Sequence, residues 1–179
     1  EKQIIIIISI RIYIFKKIRE REFNAKLVIL TGDKDYFVKA ANQYGLIDGE
    51  YILKTVDSSQ VAEYLSVCDL GLSLRTKSFS MSGVSPIKVG EYLLCGLPVI
   101  ASSGIGDFDD ITDQVLFSLE NHDSIQLDTV ASWFSFHVLT NREKIKLKAR
   151  SEGIAEFGLE RSIEQYEKGI NRLIYGTVI

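Results

Sequence analysis

A parallel β-sheet with helices on both faces is the fold class this 179-residue sequence predicts, on three observations. Short continuous apolar runs recur along the chain, stretches with helical apolar spacing lie between them, and glycines stand where those stretches should stop. Uninterrupted apolar runs, as opposed to alternating ones, mark strands buried on both faces, which is the situation in parallel sheets.

The elements follow in order. Residues 8–15 alternate Ile8, Ile10, Ile12 and Ile14 against Ser9, Arg11, Tyr13 and Phe15, which predicts a strand. Phe15 to Phe23, with Ile18 among dense charges, predicts a helix leading into the next element. Lys26-Leu27-Val28-Ile29-Leu30-Thr31-Gly32 reads as a buried strand. A helix over Asp33 to Tyr44 follows, with Phe37, Val38, Ala41 and Tyr44 on one face and Gly45 as its stop. Tyr51 to Val56 is a second such strand. Asp57 or Ser58 caps the next helix, whose stripe is Val61, Tyr64, Leu65 and Cys68. Asp69 to Leu74 is a third strand, and Arg75 to Val84 a polar loop. Ser85-Pro86 has the form of an N-cap with proline at the first helical position. That helix ends at Cys95-Gly96, and Leu97-Pro98-Val99-Ile100-Ala101 is a fourth strand. After the loop Ser102 to Asp110 comes a short strand at Val115 to Ser118. From about Asp123 the chain is mostly helical, ending with Leu159 to Tyr175. Strands and helices alternating at these intervals imply right-handed crossovers, hence a Rossmann-like α/β domain. No repeat or linker divides the chain, so residues 1–179 are expected to form a single domain, with the helices of 123–175 packed on it.

Composition narrows the function. The chain is 46% hydrophobic and 25% charged with a net charge of -3, which excludes a disordered segment. A pI near 5.5 argues against nucleic acid as a partner. Cys68 and Cys95 are too few for a disulfide framework, and no Cys/His group has zinc-ligand spacing. They read as half-buried thiols in a reducing compartment. The apolar stretch at residues 4–15 is too short to span a bilayer and contains Arg11; it lacks the basic start and cleavage site of a signal peptide.

Ligands of open parallel sheets bind beyond the carboxyl ends of the strands. Three loops lie there: Gly32 to Asp35, Arg75 to Ser85 and Ser102 to Asp110. The second precedes a helix whose first amides lack internal partners, a ready phosphate site. Lys88 falls in the first turn, where a cation is unfavourable unless an anion binds there. Glu91 follows three residues later on the same face, and its carboxylate can accept both hydrogen bonds of a ribose diol. Lys88 on a diphosphate and Glu91 on a ribose would together grip a nucleotide. The same spacing also describes an ordinary solvated ion pair.

The segment Ser85-Pro86-Ile87-Lys88-Val89-Gly90-Glu91-Tyr92-Leu93-Leu94-Cys95-Gly96-Leu97-Pro98-Val99-Ile100-Ala101 resembles the donor-binding signature of retaining glycosyltransferases of family 4, also called group 1. The resemblance extends from about Lys26 to the end of the chain, through the Cys68-Asp69-Leu70-Gly71-Leu72 strand, Gly104-Ile105-Gly106-Asp107 and the helix that begins near Phe157. It implies the GT-B architecture, two Rossmann-like domains across a cleft, with this chain as the C-terminal, donor-binding half. It implies a nucleoside-diphosphate-sugar substrate, no separate cofactor, and a hexose-type transfer to a lipid-linked or polysaccharide acceptor. It further implies Lys88 and Glu91 as catalytic-site residues, with the loop residues Ser82, Gly83, Val84 and Ser85 approaching the donor; Arg75, at the carboxyl end of its strand, and Ser103 and Gly104 in the following loop are further candidates to face it. Three departures stand out. Gly83 occupies the position where many members carry a second glutamate. Residues 1–25 do not reproduce the family's Gly-rich turn with its Arg and Lys; Arg11, Lys16 and Lys17 lie in that part of the chain but read as helix-surface charges. And 179 residues cannot hold an acceptor-binding domain as well, which makes a missing N-terminal domain or subunit the implied partner. A cytoplasmic setting at the inner face of the membrane follows from a lipid-linked acceptor. A non-catalytic nucleotide-sugar-binding subunit and a GT-B-like sugar epimerase are the alternatives.

The remaining residues are expected to be structural. Asp107, Asp109 and Asp110 read as a solvated loop, not a metal site; His122 and His137 as surface or packing residues; and Trp133, Phe134 and Phe136 as packing among the C-terminal helices.

Overall fold

The computed structural model describes residues 2–75, 87–104, 110–120 and 123–176. It opens with a departure from expectation. In place of a strand followed by a helix, Lys2–Arg19 is one helix, α1. Ile14 and Ile18, one turn apart, enter the larger of two apolar cores. Ile12 and Phe15 enter the smaller. A helix wedged between two apolar surfaces is apolar around most of its circumference, and in an isoleucine-rich stretch that pattern also satisfies a period of two. The β-branched residues cost less than about 0.7 kcal/mol each in a helix, whereas burying each side chain contributes about 1.5–3 kcal/mol. Burial decides.

The strand β1 is Leu27–Leu30. The helix α2, Lys34–Gln43, is capped by Asp33, whose carboxylate accepts the Tyr36 N–H at 3.0 Å. Gly45 then turns the chain at φ +66°, as its position after the helix predicts. The strand β2 is Tyr51–Lys54. The Asp57 N–H donates to Gln60 Oε1 at 3.3 Å across a 3-10 turn, Ser58–Gln60, that leads into α3, Val61–Ser66. The expected stripe of Val61, Tyr64, Leu65 and Cys68 is only half-buried. Then come β3 (Gly71–Ser73), α4 (Ile87–Leu94), β4 (Val99–Ser102), β5 (Leu116–Leu119) and α5 (Ser124–Ser132). A π-helical turn, Trp133–Val138, links α5 to α6 (Arg142–Phe157), and α7 is Leu159–Tyr175.

All strand pairs are parallel. The strands are divided, however, between two sheets: β1 with β2, and β3–β4–β5 with β4 in the middle. The fold class is therefore the mixed α/β one expected, with parallel strands in open sheets flanked by helices, but among the described residues the sheet is interrupted between β1 and β3. The larger core surrounds β4, where Val99, Ile100, Ala101 and Ser102 are all buried. It takes Val89 and Leu93 from α4, Val130 and Ala131 from α5, and Ile145 and Ala149 from α6. The helix α7 meets α6 but buries none of its side chains, so of the C-terminal helices it packs least. Among the described residues no helix is long and apolar enough to cross a membrane.

Cys68 and Cys95 are free and half-buried. Burial pushes both thiols above the ordinary value; Asp69 adds to the effect at Cys68. The folded state thus favours the neutral thiols. This contribution is complete below the ordinary thiol pKa and is lost as pH rises through the raised values. Iodoacetamide at pH 8 is expected to alkylate both cysteines more slowly in the folded chain than in urea, as mass spectrometry would show; equal rates would contradict the burial.

Candidate functional site

The helix α4 carries the two residues singled out by spacing. Its apolar face, Val89 and Leu93, is fully buried, which leaves Lys88 and Glu91 on the opposite side with 55% and 40% of their side chains exposed. Close approaches fix this helix. The Tyr92 ring lies over Gly71 of β3, where an added Cβ would stand 2.4 Å from a ring carbon. On the other side α4 crosses α6 at Gly153, where a Cβ would come within 2.7 Å of the Leu93 carbonyl carbon. Gly96 ends the helix at φ +77° and Arg150 Nη1 donates to Leu94 O at 2.6 Å. Lys88 and Glu91 are consequently presented by a helix held against both sheet and neighbour.

Lys88 Nζ and Glu91 Oε2 stand 2.7 Å apart and pair with each other. Such an exposed pair is worth only about 0.2–1 kcal/mol, and redirecting both groups to a ligand costs little. Arg75, at the carboxyl end of β3, is exposed; its N–H donates to the buried Ser102 Oγ at 3.0 Å, which ties the ends of β3 and β4 together. Arg75, Lys88 and Glu91 line the same cavity, together with Asp33 and Arg11.

Arg11 is the residue that sequence reasoning misplaced. Far from being a surface charge, it reaches from α1 to donate to Leu74 O at 3.3 Å. Burial pulls its guanidinium below the ordinary value, Tyr92 opposes this, and the like charge of Arg75 adds to it. Residues 8–15 are helical and not extended, and on a helix with Ile14 and Ile18 Arg11 meets the end of β3. Lys17, by contrast, does pair at the surface, with Glu20 at 3.1 Å and Asp128 at 3.2 Å, and Lys16 donates to Tyr44 O. Three cations, Arg11, Arg75 and Lys88, therefore line one cavity that the carboxyl ends of β1 and β3 also border, an arrangement suited to an anion.

The other expected site residues divide. Ser103, whose N–H donates to Leu119 O at 2.9 Å, and Gly104, at φ +70°, continue from β4 but do not line this cavity. Ser82, Gly83, Val84 and Ser85 lie outside the described residues, as do the Ser85-Pro86 cap, Asp107, Asp109 and His122. Asp110 is exposed, and among the described residues no His, Cys, Asp and Glu group is placed to hold a metal ion. His137 stacks on Trp133 at 5.9 Å, with Nε2 3.0 Å from Gln114 O. Trp133 also packs on Phe117 and Phe134 is buried, as expected of packing residues. Phe136 does not join them: it is exposed, with the Arg21 guanidinium 5.9 Å from its ring centre.

Comparison with known proteins gives one relative. Chitobiosyldiphosphodolichol beta-mannosyltransferase of Dictyostelium discoideum is 37% identical over 79 residues, a match covering 42% of this chain and 15% of that protein. The chain thus spans a small part of that relative's length. No solved structure matches the chain. The family described as glycosyl transferases group 1 matches residues 8–124, from within α1 to the start of α5. With well over half of its length matched, including α4 and the cavity rim, the chain belongs to the group 1 glycosyltransferase family.

Proposed function

We propose that this chain is the donor-binding domain of a retaining hexosyltransferase, the C-terminal half of a GT-B enzyme, and that it binds a nucleoside-diphosphate sugar. The observation that supports this most is that Arg75, Lys88, Glu91 and Arg11 line one cavity. Arg75 and Lys88 take the diphosphate, helped by the first amides of α4. Glu91, released from Lys88, accepts the ribose hydroxyls. As the bond to the sugar breaks and the sugar passes to the acceptor, negative charge grows on the departing diphosphate, and the cations Arg75 and Lys88 stabilise it. Ser82 to Ser85, Ser103 and Gly104 complete the donor site in this reading. The sugar acceptor is bound by a separate N-terminal domain or subunit, so this chain alone binds donor and transfers little. The relative's name carries a mannosyl group and a dolichol-diphosphate acceptor, and for this reason a lipid-linked acceptor at the cytoplasmic membrane face is favoured over a polysaccharide. Retention predicts an α-linked product from an α-linked donor, read by NMR on the complete enzyme; a β-linked product, as the relative's name describes for that protein, would overturn the retaining course.

Isothermal calorimetry with UDP, GDP and ADP tests the donor reading. One diphosphate is expected to bind saturably, and Lys88→Ala, Glu91→Ala or Arg75→Ala each to weaken it at least tenfold, about 1.4 kcal/mol. Unchanged affinity in the Lys88 and Glu91 variants would leave these residues as a surface ion pair.

A further inference from the structure

The helix α7 is amphipathic, yet it buries none of its side chains. Leu159, Ile163, Tyr166, Ile170 and Leu173 follow one another at steps of 4, 3, 4 and 3 residues, which sets them on one stripe with the spacing of a helix–helix seam. Each of the five is between 47% and 88% exposed. The first turn is tied down, with Ser162 Oγ donating to Gly158 O at 3.1 Å and Arg161 paired with Glu156 at 3.8 Å. From Ile163 to Gly176 every residue is exposed. A helix of 17 residues that covers no apolar surface is only marginally stable in water, and a contiguous apolar stripe left in solvent marks a surface for association.

We propose that this stripe is a self-association surface, on which α7 of a second copy of the chain packs antiparallel about a two-fold axis at Tyr166. The stripe is nearly a palindrome. Tyr166 has isoleucine three residues before it and four after, and leucine seven before and seven after. Turned end for end, the helix sets Leu159 against Leu173, Ile163 against Ile170, and Tyr166 against its own counterpart. Such self-complementarity is what a two-fold interface between identical subunits requires, and an unrelated partner would place no such demand on the order of residues. The charges fix the direction. Glu160, Glu164 and Glu167 fall in the first half of the helix, Lys168 and Arg172 in the second, and Arg161 is already engaged by Glu156. Antiparallel copies bring the acidic half beside the basic half and oppose the two helix dipoles, whereas parallel copies bring like charge to like. Those three glutamates also weigh against an anionic bilayer as the occupant, since helices that lie on such surfaces carry lysine and arginine on the polar face. None of the stripe residues lines the cavity of Arg75, Lys88 and Glu91, so the proposal does not depend on what that cavity binds.

Sedimentation velocity over a range of concentrations tests the association. The 179-residue chain is expected to show a monomer–dimer equilibrium with a Kd in the micromolar range, as suits one pair of short helices. Tyr166→Glu brings two carboxylates together at the axis and is expected to weaken the dimer at least about tenfold. Gln165→Glu adds the same charge off the stripe and should leave the Kd within about twofold. Tyr166 is exposed in the single chain, so the domain folds in either variant. The direction is read by cross-linking the double variant Leu159→Cys/Leu173→Cys under mild oxidation and mapping the disulfides by mass spectrometry. An antiparallel pair joins position 159 of one copy to 173 of the other; within one helix these positions stand about 21 Å apart and cannot join. A chain that stays monomeric throughout would overturn the proposal and leave the stripe to a different partner. A dimer indifferent to Tyr166→Glu, or disulfides joining 159 to 159 and 173 to 173 only, would overturn it equally.

Discussion

Gly153→Ala is expected to destabilise the chain by about 2 kcal/mol, although alanine is the better helix former. In mid-helix the exchange alone would gain about 1 kcal/mol. Against it stands the crossing of α6 on α4. The added Cβ would lie 2.7 Å from the Leu93 carbonyl carbon, 2.8 Å from the Leu94 nitrogen and 2.9 Å from Leu93 Cβ. Backbone atoms cannot swing aside as a flexible side chain can, so the helices must separate. Overpacking of this kind costs about 1–3 kcal/mol, and contact with backbone places it at the upper end. Gly169→Ala is the control: it lies in α7 with nothing within 4 Å of the added carbon, and is expected to be neutral or to stabilise by about 0.5–1 kcal/mol. Urea denaturation of both variants separates the two outcomes. A stabilising Gly153→Ala would mean that α4 and α6 do not approach as described. Because α4 also carries Lys88 and Glu91, the same variant should weaken diphosphate binding in the calorimetric experiment.

Ile14→Ala and Phe15→Ala are both expected to cost about 3–4 kcal/mol, and Tyr13→Ala less than about 1 kcal/mol. Ile14 is fully buried and Phe15 nearly so, in different cores, whereas Tyr13 is 52% exposed with an edge-on contact to Tyr44. The test discriminates between two structures for this segment. In a strand with one buried face, Phe15 would share its side with Tyr13, and Ile14 would stand alone. Equal and large losses at two successive residues are the signature of a helix with core on two sides. Chemical denaturation of the three variants provides the comparison; a mild Phe15→Ala beside a severe Ile14→Ala would restore the strand.

These two cases also show what was legible before the structure. The strands β1 to β5 were found within a residue or two, and so were the turns at Gly45 and Gly96 and the cap expected at Asp57 or Ser58, which falls at Asp57, because each signal is local. A buried strand announces itself by a continuous apolar run, a cap by one side chain and the amide three residues on, a turn by the residue that tolerates positive φ. The pairing of Lys88 with Glu91 was legible for the same reason, being three residues apart on one helix. Their neighbours on the rim were not equally visible. Arg75 was placed by the end of its strand, but Arg11 stands 63 residues from Leu74, whose carbonyl it meets, and no local pattern reports that contact.

The sequence by itself thus determined the α/β class, the run of elements from Leu27 onward, the helix that bears Lys88 and Glu91, and the family to which the segment around them belongs. Tertiary structure alone decided that α1 is a helix, that Arg11 is half-buried beside β3, and that a slot separates β1 from β3. The physical reason is common to all three. A stretch of chain records how apolar it is, but the number of sides on which it will be buried, and hence whether helix or strand best satisfies it, belongs to the elements packed around it.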